Sequence, residues 1–180
     1  MIFIIQTRPT NKHRIDKNLA LDCGAGIGRV SKNLLLKNFK NVEMVDVTEN
    51  FIAKATEYLG AEDTKRVLKF HCCGLQDFYP EPNKYDCVWI QWVSGYLNDS
   101  DFVDFLKRCK SSLRPNGICI LKENICQNEA ELDADDSSYT RPRQAYLNLI
   151  HKAGMVVLRD EKQRKVNSFM LILGLKLLLI

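Results

Sequence analysis

Three glycines fall in the run Asp22-Cys23-Gly24-Ala25-Gly26-Ile27-Gly28-Arg29, directly behind an apolar stretch and ahead of a segment with helical periodicity. Glycines placed between a strand and a helix let the backbone approach a ligand closely, and a nucleotide-like cofactor is the chemistry this implies. The nicotinamide fingerprint needs a glycine at the sixth position of the loop, where Arg29 stands, and this argues against that cofactor. Asp46, 18 residues beyond Gly28, lies where an acid can accept from both hydroxyls of a ribose. A second constellation is the run 129–136, which holds Glu129, Glu131, Asp133, Asp135 and Asp136 and no basic residue. Such a run is ordinarily a solvated loop; beside a ligand crevice it becomes a wall that binds a cation.

These residues need a scaffold, and the chain supplies one by alternation. Apolar runs at 19–23, 42–47, 67–73, 85–92, 117–124, 155–162 and 166–175 read as seven strands. Between them Val30, Leu34, Leu35 and Phe39 repeat at helical spacing, as do Phe51, Ile52, Ala55 and Leu59 ahead of Gly60. Phe102, Phe105, Leu106, Cys109 and Leu113 form a helical stripe behind cap candidates at Asn98, Asp99 and Ser100. Arg114-Pro115-Asn116-Gly117 should end that helix in a tight turn, and Tyr146, Ile150 and Ala153 mark the last helix before Gly154. The alternation predicts an α/β fold, a mostly parallel sheet with helices on both faces. No repeat or low-complexity linker divides the 180 residues, so a single domain over 1–180 is expected.

The spacing D-x-G-x-G-x-G resembles the first motif of S-adenosylmethionine methyltransferases, whose donor carries a sulfonium and an amino-acid tail. Arg29 would then pair with the carboxylate of that tail. Together with Met44-Val45-Asp46-Val47-Thr48, Cys72-Cys73-Gly74-Leu75-Gln76-Asp77-Phe78, Trp89-Ile90-Gln91-Trp92-Val93 and Leu113-Arg114-Pro115-Asn116-Gly117 leading into Lys122-Glu123-Asn124, the loop resembles the alpha N-terminal protein methyltransferases. The likeness covers about 18–163 and leaves 1–17 as an N-terminal extension and 174–180 as a divergent apolar tail.

This resemblance implies a seven-stranded Rossmann-like class I methyltransferase fold. It also implies methyl transfer from S-adenosylmethionine to the free α-amino group of proteins that begin Xaa-Pro-Lys. It places Gly24, Gly26, Arg29, Asp46, Val47, Thr48, Leu75, Gln76 and Gln91 around the cofactor. For Leu75 and Gln76 alone, a core position and a loop cap are equally good readings. On the acceptor side it places Asp136 near the amine as base or orienter, Asn124 on the peptide backbone and Asp133 on the substrate lysine. Trp92 would stand against the proline ring, although a large indole at a strand end is as often core. An α-amine has a pKa near 7.7–8.0 and attacks only when neutral, so its proton must leave.

Two departures from the family pattern matter. Tyr96 stands where the family has a histidine near the amine; a phenol with pKa near 10 is a poor base but can bind the substrate by a hydrogen bond to the amine, which leaves the acid-base work to Asp136. Family members carry an N-terminal helical segment and a glycine-containing hairpin over cofactor and peptide, whereas about eighteen residues precede the first expected strand here. The expectation is a site with a weaker grip on peptide and poorer exclusion of water. Two further readings follow: a small-amine methyltransferase, and an inactive or weakly active cofactor-binding member of the family.

Composition sets the remaining bounds. At 46% hydrophobic and 27% charged residues the chain has enough apolar material for a core, which excludes collagenous and disordered classes. A net charge of +4 without a clustered basic stripe gives no case for nucleic acid. Seven cysteines without a C-x-x-C pair fit reduced thiols of an intracellular protein, expected in nucleus and cytoplasm. Residues 1–5 are apolar but too short for a secretory signal. The closing run from Phe169 is about half of the roughly 20 residues a span needs and carries Lys176, so no membrane span is expected. His13, His71 and His151 are dispersed, and no metal is assigned. A monomer is expected, with self-association open through the apolar tail.

Overall fold

Strand β2 (Leu19–Cys23) and strand β5 (Tyr85–Gln91) are buried along almost their whole length, as strands covered on both faces must be. They are hydrogen-bonded in parallel and form the middle of the sheet in a computed structural model that describes residues 1–7 and 15–162. Outward from β2 lie β3 (Asn41–Asp46) and β4 (Val67–Cys72), and outward from β5 lie β6 (Leu113–Lys122), β1 (Ile2–Gln6) and β9 (Val156–Glu161). The order of this seven-stranded sheet is β4-β3-β2-β5-β6-β1-β9, with β1 antiparallel to both of its neighbours. Because β2 continues to one side and β5 to the other, a crevice opens beyond their carboxyl ends, the general ligand position in open α/β sheets.

Helices cover both faces. On one face α4 (Asp99–Ser112) and α5 (Arg143–Lys152) bury Phe102, Phe105, Leu106, Cys109, Tyr146, Leu149 and Ile150. On the other, a π-helical turn at Ser31–Leu35 running into α1 (Leu36–Asn38), with α2 (Glu49–Leu59), buries Leu35, Leu36, Phe39, Ala55 and Leu59. A short helix, α3 (Ala61–Thr64), follows the left-handed Gly60. The Asn98 side chain accepts from the Asp101 amide at 2.9 Å, which fixes the start of α4 as its sequence foretells. Among the described residues no helix is long and apolar enough to cross a membrane.

The structure departs from the expectations at three places, and a fourth expectation is left untested. The run 1–5, read in sequence as too short for a signal and as part of an N-terminal extension, enters the sheet as β1, with Phe3 and Ile5 fully buried. Its row of β-branched and aromatic side chains suits a strand enclosed on both faces. The strand expected at 166–175 lies outside the described residues. Arg114-Pro115-Asn116-Gly117 is a bulge inside β6 rather than a turn before it: Leu113 pairs with Tyr85, the ladder then shifts to Ile118 opposite Cys87, and Asn116 takes φ 69°. The acidic run adds a two-stranded hairpin, β7 (Glu131–Asp133) with β8 (Ser138–Thr140).

Candidate active site

The loop after β2 is held in its open curve by backbone and side-chain bonds to β3. Gly24 and Ala25 donate to the Val45 carbonyl, and the Gly26 amide donates to Asp46 Oδ2 at 2.7 Å. The second carboxylate oxygen of Asp46 accepts from the Thr48 amide at 2.9 Å. All three loop glycines take positive φ, and Gly24 is the most constrained: at φ 69° an added Cβ would lie 2.6 Å from Cβ of Val93. Asp22, fully enclosed, accepts from Ser31 Oγ at 2.7 Å; burial outweighs that bond and pushes its carboxyl up to about 6.

A cleft of about 800 Å³ opens over this loop, within the size range of small-molecule and cofactor sites. Gly24, Gly26, Arg29, Asp46, Val47, Thr48 and Gln91 line it together with Trp92 and Tyr96. An adjoining cavity of about 220 Å³ is lined by Leu75 and Gln76 with Gly24, Asp46 and Val47. Leu75 thus serves two purposes, packed in the core and facing the cavity, while Gln76 is exposed. The carbonyls of Leu75, Gln76 and Phe78 all accept from Arg108 at 2.9 Å, so a helix α4 side chain fixes this loop. Gln91 is anchored by Trp89 Nε1 at 3.2 Å. Seven of the nine residues expected at a cofactor thus line the cleft, and the other two, Leu75 and Gln76, line the cavity that shares Gly24, Asp46 and Val47 with it.

Most of the residues expected on the acceptor side meet at a third cavity, about 160 Å³, lined by Trp92, Gly95, Tyr96, Glu123, Asn124, Asp136, Ser138, Tyr139, Thr140 and Tyr146. Trp92 and Tyr96 line both this cavity and the large cleft. Trp92 is not core: it is 56% exposed and sits at φ 55°, a rare conformation for a bulky residue, with Lys122 Nζ 5.0 Å from its ring centroid. Tyr96 donates to Asp136 Oδ2 at 3.0 Å, and Ser138 donates its amide to Asp136 Oδ1 at 3.0 Å. Hydrogen bonding from the Ser138 side chain first, and then from Tyr96, holds the Asp136 carboxyl below its ordinary value, and the bond to Asp136 raises the Tyr96 phenol.

Asp133 is the exception among the expected residues: it does not line the cavity, and its Oδ1 accepts from the Asp135 amide at 3.0 Å within the hairpin. Glu123, which lines the cavity one position before Asn124, was not singled out from sequence. Burial raises its carboxyl, and its Oε1 accepts from the amides of Val93 and Ser94 at 2.9 Å and from Ser94 Oγ at 2.8 Å. Its signal in the sequence is an acid at the end of the strand expected at 117–124, next to Asn124.

Comparison with known proteins identifies the family. The sequence profile of the family described as AdoMet dependent proline di-methyltransferase matches residues 3–173. N-terminal Xaa-Pro-Lys N-methyltransferase 1 of Mus musculus is 54% identical over 147 residues, covering 82% of this chain and 66% of the mouse protein. N-terminal Xaa-Pro-Lys N-methyltransferase 1-B of Xenopus laevis is 56% identical over 144 residues, 80% of this chain and 64% of that protein. The chain spans about two thirds of the length of the curated relatives it matches. Among solved structures, a SAM-dependent methyltransferase of Leishmania major superposes with a TM-score of 0.80 at 36% identity, over 85% of this chain and 61% of that one. A methyltransferase of Mesorhizobium loti, 13% identical with a TM-score of 0.68 over 95% of this chain and 87% of that one, shares the fold alone. The seven-stranded α/β sheet is that of the S-adenosylmethionine-dependent methyltransferases, and the chain belongs to the AdoMet dependent proline di-methyltransferase family.

Proposed function

We propose that this protein transfers methyl groups from S-adenosylmethionine to the free α-amino group of proteins whose N-terminus reads Xaa-Pro-Lys. The observation that carries this reading is the shared wall of the two cavities. Trp92 and Tyr96 border both the glycine-loop cleft and the acidic acceptor cavity, so a cation held by Asp136 lies next to whatever fills the cleft.

The cleft fits the donor chemically. A left-handed glycine loop leaves space that side chains would fill, Asp46 offers a carboxylate at the strand end for ribose hydroxyls, and exposed Arg29 offers a fork for a carboxylate tail. When bound, the donor supplies an electrophilic methyl on a sulfonium. The chain's own residues bind and orient the amine. Asp136 attracts the α-ammonium and aims it, Asn124 bonds the peptide backbone, and Trp92 offers an apolar face to the proline ring. Asp133, at the end of β7 and outside the cavity, adds negative charge for the substrate lysine rather than a contact.

Asp136 is a poor sink for the proton, because two donors already hold its carboxyl low. Its work is orientation, and the α-amine sheds its proton to water near its own pKa before attack. Positioning of the neutral amine then supplies most of the acceleration, as effective concentration does generally.

A Ser-Pro-Lys peptide incubated with labelled donor tests the reading, with the same peptide acetylated at its α-amine as control. Label on the free peptide alone is the expected result. Label on the ε-amine of both peptides would overturn it.

A further inference from the structure

We propose that Glu123 and Arg141 are positioning residues of the acceptor site: from opposite sides they fix the turn 93–97 and so hold the Tyr96 hydroxyl against Asp136. The inference rests on the acceptor reading given above.

The turn is gripped on its amide side and on its carbonyl side by buried groups of opposite charge. Glu123, 7% exposed, accepts through Oε1 from the Val93 amide, the Ser94 amide and Ser94 Oγ. Arg141, 3% exposed, donates from Nη1 to the Ser94 carbonyl at 3.1 Å and from Nη2 to the Leu97 carbonyl at 2.6 Å. Its Nε donates to Asp99 Oδ1 at 2.8 Å at the start of α4, and its guanidinium lies 5.8 Å from the Phe102 ring centroid. Every arm of the fork is therefore committed, a role a lysine cannot reproduce.

The same arginine joins the turn to the acidic hairpin. It follows directly on β8, whose preceding turn carries Asp136. Gly95 completes the junction, because an added Cβ would meet the Tyr139 carbonyl oxygen at 2.9 Å, so β8 and the turn touch backbone to backbone. Tyr96 is 56% exposed and Asp136 is exposed as well. Two water-accessible side chains gain little from a single hydrogen bond, since water competes for both. Their fixed spacing comes from the buried pair beneath them, neither member of which donates to or accepts from Tyr96 or Asp136 in this structure.

The test is a double-mutant cycle on the full chain, with Arg141→Lys made in the wild-type and in a Tyr96→Phe background. If Arg141 acts through Tyr96, Arg141→Lys lowers kcat on the Ser-Pro-Lys peptide about tenfold in the first background and less than about twofold in the second. The donor dissociation constant, measured by calorimetry, should move by less than about threefold. Equal losses in both backgrounds, or no loss in either, would overturn the proposal. Glu123→Gln, which keeps shape and removes charge, is the second variant should Arg141→Lys not fold. A readout without catalysis runs alongside: amide hydrogen exchange at 93–97 and 131–140 should accelerate about tenfold or more in either variant while β2 and β5 stay protected. Unchanged exchange there refutes the clamp even if activity falls. A wild-type protein that methylates no α-amine defeats the acceptor reading alone, and the exchange result still decides the clamp.

Discussion

The Tyr96 hydroxyl reaches across 40 positions of sequence to donate to Asp136 Oδ2 at 3.0 Å, joining the turn after β5 to the tip of the acidic hairpin. The bond has two consequences for the proposed chemistry. It commits the phenol as a donor, and it leaves the carboxylate charged through the whole range in which an α-amine titrates.

Asp136→Asn should therefore cut kcat/KM on an Xaa-Pro-Lys peptide by about 10²-fold, because an amide neither attracts nor aims the ammonium. Tyr96→Phe should cost less, about three- to tenfold, since the carboxylate survives and loses only one donor. Steady-state kinetics on both variants decide the order. A larger loss for Tyr96→Phe would move the central role from the carboxylate to the phenol.

The pH profile follows from the same pair. With Asp136 already ionised and Tyr96 held protonated, neither titrates near neutrality, so log kcat/KM should rise by about one per pH unit and level off near pH 8, where the α-amine becomes neutral. Tyr96→His should add a second limb near pH 6.5, the usual imidazole value. A wild-type profile already bent near pH 6.5 would show that another group supplies the base.

Gly24 is the position where the donor loop tolerates least. An alanine there combines left-handed φ with a Cβ 2.6 Å from Val93 Cβ. The strain and the overlap together come to about 2–4 kcal/mol. Gly24→Ala should lower the thermal midpoint and weaken donor binding by an order of magnitude or more. Gly26 offers the contrast: an added Cβ meets nothing within 4 Å, so Gly26→Ala carries only the cost of φ 55°. Equal losses at the two positions would remove the Val93 overlap as the cause.

How far the sequence revealed this arrangement depended on whether a residue's partner was near it in the chain. The loop glycines, Asp46 and the helix stripe of Phe102, Phe105, Leu106 and Cys109 declare themselves through local spacing, and the structure places them as read. The strand Ile2–Gln6 escaped because its partners, β6 and β9, lie more than a hundred positions away, and nothing within five residues says that an apolar run is a sheet interior. Arg108 and Arg141 escaped for the same reason. Each collects backbone carbonyls from loops far away in sequence, and a carbonyl has no residue type to recognise. The acidic run is legible as charge, but its hairpin register, which turns Asp136 toward Tyr96 and leaves Asp133 outside the cavity, is a tertiary fact.

A last prediction concerns stability away from the cleft. Glu43, 2% exposed on β3, accepts from His71 Nε2 at 3.0 Å and Tyr85 Oη at 2.8 Å and pairs with Lys84 Nζ at 2.7 Å. Burial alone would raise its carboxyl, but these three donors outweigh burial and hold it down at about 2. A folded-state value below the unfolded one near 4.5 means that the unfolded chain binds the extra proton first. The stabilisation is complete above about pH 4.5, on the order of 3 kcal/mol, and drains away as pH falls through about 2. Glu43→Gln should therefore lie well below wild type in chemical denaturation at pH 7 and converge on it near pH 2. A gap of the same size at both ends of that range would mean that the glutamine's loss reflects shape or packing, not the charge that ties β3 to β4 and β5.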